Sequence, residues 1–104
     1  MALHYNVTGS TGVTVELIEP NTETDIKSIL LTNIHATADA TVTLFIQDDP
    51  DDVAFNTYKL LNAVAIPAKT ALLLNDASMF NFSNVYGLYV TVGSSDTIDV
   101  LINY

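Results

Sequence analysis

Asp48, Asp49, Asp51 and Asp52 place four carboxylates within five residues, around Pro50. Clustered oxygens of this kind are what Ca²⁺ prefers, but the spacing does not follow the EF-hand loop and no downstream Glu completes one. The same run also makes a solvated turn whose like charges and proline keep a sheet edge from recruiting another strand. The solvated turn is the reading adopted, and a bound cation is the alternative. The two histidines, His4 and His35, fall in the N-terminal segment and in a short turn beside Asp39. Zinc or iron needs more ligands than one His and one carboxylate, so both read as exposed loop residues. The aromatics Tyr5, Phe45, Phe55, Tyr58, Phe80, Phe82, Tyr86, Tyr89 and Tyr104 could stack against sugars. Their placement among alternating apolar positions favours core and interface roles.

No nucleophile elbow, phosphate-binding loop, zinc-protease motif or dinucleotide fingerprint occurs. The carboxylates sit in turns, so no glycosidase pair can be named. Asn6-Val7-Thr8 and Asn81-Phe82-Ser83 match the glycosylation sequon. The opening residues lack a basic stretch followed by an apolar core, so no secretory signal is expected and both sequons read as chance. The expectation is a protein that is no enzyme, with no catalytic, cofactor-binding or metal-ligating residue assigned and no cofactor.

Charge narrows the partners. Twelve acids face three lysines and no arginine, for a formal net charge of −9. Neutralising phosphates takes clustered Lys and Arg, so neither nucleic acid nor an anionic membrane is an expected partner. Such a surface could complement a basic patch on another protein. Charged residues make up only 14% of the chain and apolar residues 49%, where a lone soluble domain carries about 25% charged residues. Something besides water is therefore expected to cover part of the surface. The 104 residues contain no cysteine, so neither disulfides nor thiolate metal sites are available. A single domain of this length buries roughly 65% of its unfolded surface.

The elements that carry these residues are strands. Residues 25–47 hold two apolar runs, 26–34 and 40–47, separated by a polar turn at 35–39. In the second run Val42, Leu44 and Ile46 fall on one side, Thr41, Thr43 and Gln47 on the other. Period two with β-branched residues marks a half-buried strand. The expectation is a long β-hairpin at the centre of a sheet. Before it, residues 1–12 read as an arm or a peripheral strand. Val13, Val15 and Leu17 then open a sandwich domain over residues 13–104, ended first by Pro20 and Asn21. After it come a strand at 57–66 bulged near Asn62 and Ala63, a tight connection at 66–70, and a Leu-rich strand at 71–75. A loop or single helical turn at 76–79 and a further short strand holding Phe80 and Phe82 follow. Two closing strands, at 88–92 and 97–103, are joined by a hairpin turn at 93–96. Seven to eight strands without a convincing helix indicate an all-β fold, a single antiparallel β-sandwich, either jelly-roll or immunoglobulin-like.

Several strands are apolar on both faces. Leu61, Leu73, Tyr89 and Leu101 are expected to point outward, and Ile29 or Leu31 to face a neighbouring subunit, since a face left apolar is usually covered.

Residues 27–46, KSILLTNIHATADATVTLFI, followed by VAIPAKTALLLN and the closing DTIDVLINY, resemble small structural proteins of tailed-bacteriophage virions. Thr32-Asn33 ending a strand, the Ala/Thr-rich turn after it, and the Ile-Pro-Ala-x-Thr segment at 66–70 carry the likeness, which spans residues 25–104. The resemblance implies a non-enzymatic virion protein of β-sandwich type. The role it implies is that of a capsid decoration or cement protein, with a neck, tail or fibre component as the alternative. It implies a homo-oligomer, a trimer before other states, whose partners are the major capsid protein or other virion proteins. Such a chain is made in the host cytoplasm and carried on the outer surface of the phage particle. A carbohydrate- or receptor-binding module, or a cellular β-sandwich adaptor, remains the competing reading.

Overall fold

Eight strands realise the alternation: β1 (Ala2–Thr8), β2 (Thr14–Ile18), β3 (Ser28–Asn33), β4 (Ala40–Gln47), β5 (Thr57–Ile66), β6 (Ala71–Leu74), β7 (Gly87–Val92) and β8 (Thr97–Asn103). The computed structural model describes residues 2–9, 14–22, 25–48, 56–93 and 96–104. Val13, residues 49–52 of the acidic run, Phe55 and residues 94–95 of the last turn lie outside them.

The strands form two four-stranded antiparallel sheets, sheet A in the order β1-β8-β3-β6 and sheet B in the order β2-β7-β4-β5. The pairings β1 with β8, β2 with β7, β3 with β6 and β4 with β5 describe one long antiparallel ribbon folded over on itself. Ladders β3 with β8 and β4 with β7 then close each sheet. That is the jelly-roll arrangement, so of the two sandwich topologies expected from sequence the jelly roll is the one found. Of the N-terminal segment, Ala2–Thr8 forms a peripheral strand, one of the two readings expected, which joins the sandwich through β8.

The core lies between the sheets. Ile29 and Leu31 of β3 and Ile98, Val100 and Ile102 of β8 face Val42, Leu44 and Ile46 of β4 and Leu88, Val90 and Val92 of β7. All are buried.

Three sequence expectations are corrected here. Residues 25–47 are not a hairpin, because β3 lies in sheet A and β4 in sheet B. Alternation hides the difference: a strand buries the same parity whether its successor lies beside it or across the core. The turn at 93–96 likewise crosses between the sheets from β7 to β8. Among the described residues β4 and β5 are the consecutive strands that pair with each other, and at the loop end of this hairpin Asp48 Oδ1 accepts from the Asn56 backbone N–H at 2.6 Å. Finally, Phe80 and Phe82 do not form a strand. Ala77–Phe80 is a 3-10 helix. Asp76 caps it, its Oδ1 accepting from Ser78 N at 3.0 Å and Ser78 Oγ at 2.7 Å. These bonds to Ser78 hold the Asp76 carboxyl below the usual carboxylate range.

The bulge expected at Asn62 and Ala63 is present. The β4–β5 register shifts between Val42 and Leu44, Ala63 takes φ 52°, and its N–H goes to Thr43 Oγ1 at 3.1 Å. An alanine in the left-handed region is strained by roughly 1–2 kcal/mol, part of which glycine's extra freedom in the unfolded chain offsets. Ala63→Gly is expected to raise the unfolding free energy by about 0.5–1 kcal/mol in urea titration. A loss of stability would contradict the bulge geometry.

Candidate interaction surface

The outer face of sheet A follows from its register. His4 lies opposite Leu101, Leu101 opposite Leu30, and Leu30 opposite Leu73. Four strands thus contribute one cross-strand row, three of whose members are leucines. The row beside it reads Asn6, Asp99, Thr32, Ala71. Asn6 Nδ2 donates to Asp99 Oδ1 at 2.7 Å, so the carboxylate is held at the surface. Between the two rows runs an open groove of about 480 Å³ lined by His4, Asn6, Leu30, Thr32, Asp99 and Leu101, among others. Leu73 is 53% exposed at the end of the row. The face combines an apolar floor with small polar neighbours, which suits burial against another surface.

Of the four residues expected to face outward, Leu73 and Leu101 do. Leu61 does not: it lies opposite the fully buried Leu44, because the β5 irregularities turn both Leu60 and Leu61 toward the core. Tyr89 points outward but is only 5% exposed. Its ring stacks on Phe45, centroids 5.7 Å apart, and its hydroxyl donates to Glu16 Oε2 at 3.3 Å. The neighbour-facing residue expected among Ile29 and Leu31 is also corrected. Both are fully buried, and Leu30 between them is the one on the outer face.

Both histidines are exposed as expected, but His4 lies in strand β1 rather than in a loop. His4 is exposed on β1, and among the described residues no group of three or more His, Asp or Glu side chains gathers. His35 is exposed in the turn after β3, where its Nδ1 accepts from Thr37 N at 3.1 Å and Ala38 N at 3.0 Å. It ties the turn together.

Sequence reasoning missed Asn33, the one buried polar residue among those described, at 0% exposed. Its amide donates to Ala38 O and Ile66 O, each at 2.9 Å, and its Oδ1 accepts from His35 N at 2.9 Å. One side chain therefore joins the β3–β4 and β5–β6 crossings. The signal was present: Asn33 shares the buried parity of Ile29 and Leu31, where a polar residue requires partners.

Of the remaining described aromatics Phe80 is buried, Tyr5, Phe82, Tyr86 and Tyr104 are half-buried, and Tyr58 is exposed. Tyr5 donates to Leu17 O at 2.5 Å, and burial first, then Glu16 and Tyr104, raise its pKa. Tyr58 is 54% exposed and meets Tyr86 edge-on at 5.8 Å. Desolvation, then Tyr58 and Asp48, raise the Tyr86 hydroxyl.

No family model, curated protein or solved structure matches the chain in comparison.

Proposed function

We propose that this chain is a non-enzymatic structural protein of a tailed-phage virion, a decoration or cement protein that holds to the coat protein and to its own copies by β-surface packing. The observation that carries the reading is the row Leu101, Leu30, Leu73 on the outer face of sheet A. On that face Leu73 is exposed and Leu30 and Leu101 are half-buried, and covering the row with a neighbour removes apolar surface from water. The low charged fraction of 14% supports the same conclusion. The net charge of −9 suits a coat surface that is basic where the chain is seated. Jelly rolls serve in capsids and in lectins alike, so the fold permits the role and the surface argues for it. The family resemblance over residues 25–104 supplies the virion and its outer surface as the place of work.

Quantitative mass spectrometry of purified particles tests this reading. Hundreds of copies per particle are expected of a decoration protein, and a count between a handful and a few dozen would move the chain to the neck or tail. Absence from the particle would sink the virion reading. A glycan-binding role has one feature in its favour, the half-exposed Tyr58 beside Tyr86. A glycan array without specific signal disposes of it.

A further inference from the structure

Each sheet ends in two edge strands, and three of the four edges carry devices that stop further pairing. β2 shifts register between Glu16 and Ile18, carries the charge of Glu16 and runs toward Pro20. β5 shifts register twice, carries Lys59 and runs into Pro67. β6 is only four residues long. Bulges, charges, prolines and short length are the ordinary protections of an edge. β1 has none of them: Ala2–Thr8 holds an unbroken register with β8 over seven residues and contains no charged residue and no proline. On a chain of net charge −9, such a stretch is where two copies can approach without opposing carboxylates. Asp99, on the next strand in, is already held by Asn6.

The backbone shows which groups are free. Gly9 N donates to Asp96 O at 2.7 Å and continues the β1–β8 register, which makes this a hydrogen-bonded pair of the ladder. Such pairs alternate along an antiparallel ladder. The N–H and C=O groups of Leu3, Tyr5 and Val7 therefore point to β8, and those of Ala2, His4, Asn6 and Thr8 point away from the sheet. Among the described residues no strand pairs with that side.

We propose that β1 pairs with β1 of a second copy of this chain, antiparallel about a two-fold axis through Tyr5. In this register Ala2 meets Thr8 and His4 meets Asn6, so every outward group of the four residues finds a partner. About eight inter-strand hydrogen bonds form over roughly 24 Å of strand. The two A sheets become one eight-stranded sheet, and the leucine rows of both copies lie on its one outer face. The assembly closes as a dimer, in place of the trimer that the family resemblance implies. The inference takes from the proposed function only that copies of the chain work together, and its test is made in solution, away from any particle.

Sedimentation analysis of the full chain, as wild type and as Asn6→Pro and His4→Pro, decides it. Each proline removes an N–H that faces away from β8, a change edge strands tolerate. The wild type is expected at twice the 11.2 kDa chain mass, and both variants at the chain mass with an unchanged circular dichroism spectrum. Hydrogen exchange of the wild type gives a second reading that needs no variant: the His4 and Asn6 amides gain protection as protein concentration rises. A wild type that sediments as a monomer or a trimer would overturn the proposal. So would a folded proline variant that remains a dimer, or His4 and Asn6 amides that exchange equally fast at all concentrations.

Discussion

Asn33→Leu is expected to lower the unfolding free energy by about 4 kcal/mol, a large part of the 5–15 kcal/mol typical of a domain. Leucine keeps the branched shape of the Asn33 side chain at a larger volume, and it leaves Ala38 O, Ile66 O and His35 N without the partners they have now. Each buried or half-buried group left unpaired costs about 1–3 kcal/mol. The lost bonds also sit where two sheet-to-sheet crossings meet, since the Asn33 backbone N–H itself donates to Thr70 O at 2.9 Å. Asn33→Asp keeps the oxygen that accepts from His35 but sets a carboxylate against two carbonyls, and a comparable loss is expected. Urea titration of both variants checks this. A loss below about 1 kcal/mol in either would show that the crossings are held by other contacts.

The second large effect is a contrast between neighbours. Leu31→Asp is expected to unfold the chain, and Leu30→Asp to leave it folded. Leu31 is fully buried and lies between Leu72 and Val100 in the register of sheet A. An ionised carboxylate there has no partner, and its burial costs several kcal/mol, enough to exhaust the stability of a small domain. Leu30 lies on the opposite face, between Leu101 and Leu73. A carboxylate in its place stays hydrated in the free chain, with a stability change within about 1 kcal/mol. Its effect falls on assembly, where burying the charge against a neighbour would be required. Circular dichroism and urea titration of the two variants read the contrast. Folded Leu31→Asp or unfolded Leu30→Asp would reverse the assignment of faces.

Strand existence was legible in the sequence because period-two alternation is written directly in residues such as Val42, Leu44 and Ile46. The bulge at Ala63 and the helical turn after Asp76 were legible too, from a break in parity and from turn-forming residues. Strand partnership was not. Alternation fixes which side of a strand is buried, yet β3 and β4 bury the same residues in a hairpin or across a sandwich. The deciding information is in ladders between strands distant in sequence, β3 with β8 and β4 with β7, which no local pattern encodes. The outer face was half legible for a similar reason. Leu73 and Leu101 obey simple parity, whereas two irregularities in the β4–β5 register turn Leu61 inward. Tyr89 keeps its parity but is covered within its own sheet by Phe45. Leu30 emerges as the centre of the surface only once its neighbours on β6 and β8 are known.

On the proposed function, the leucine row of sheet A fastens this chain to a virion. Counting copies in purified particles by quantitative mass spectrometry, for wild type and for Leu30→Asp, tests it most directly. Hundreds of copies in wild-type particles and nearly none in the variant are predicted. Equal counts in the two, or a wild type absent from the particle, would contradict it.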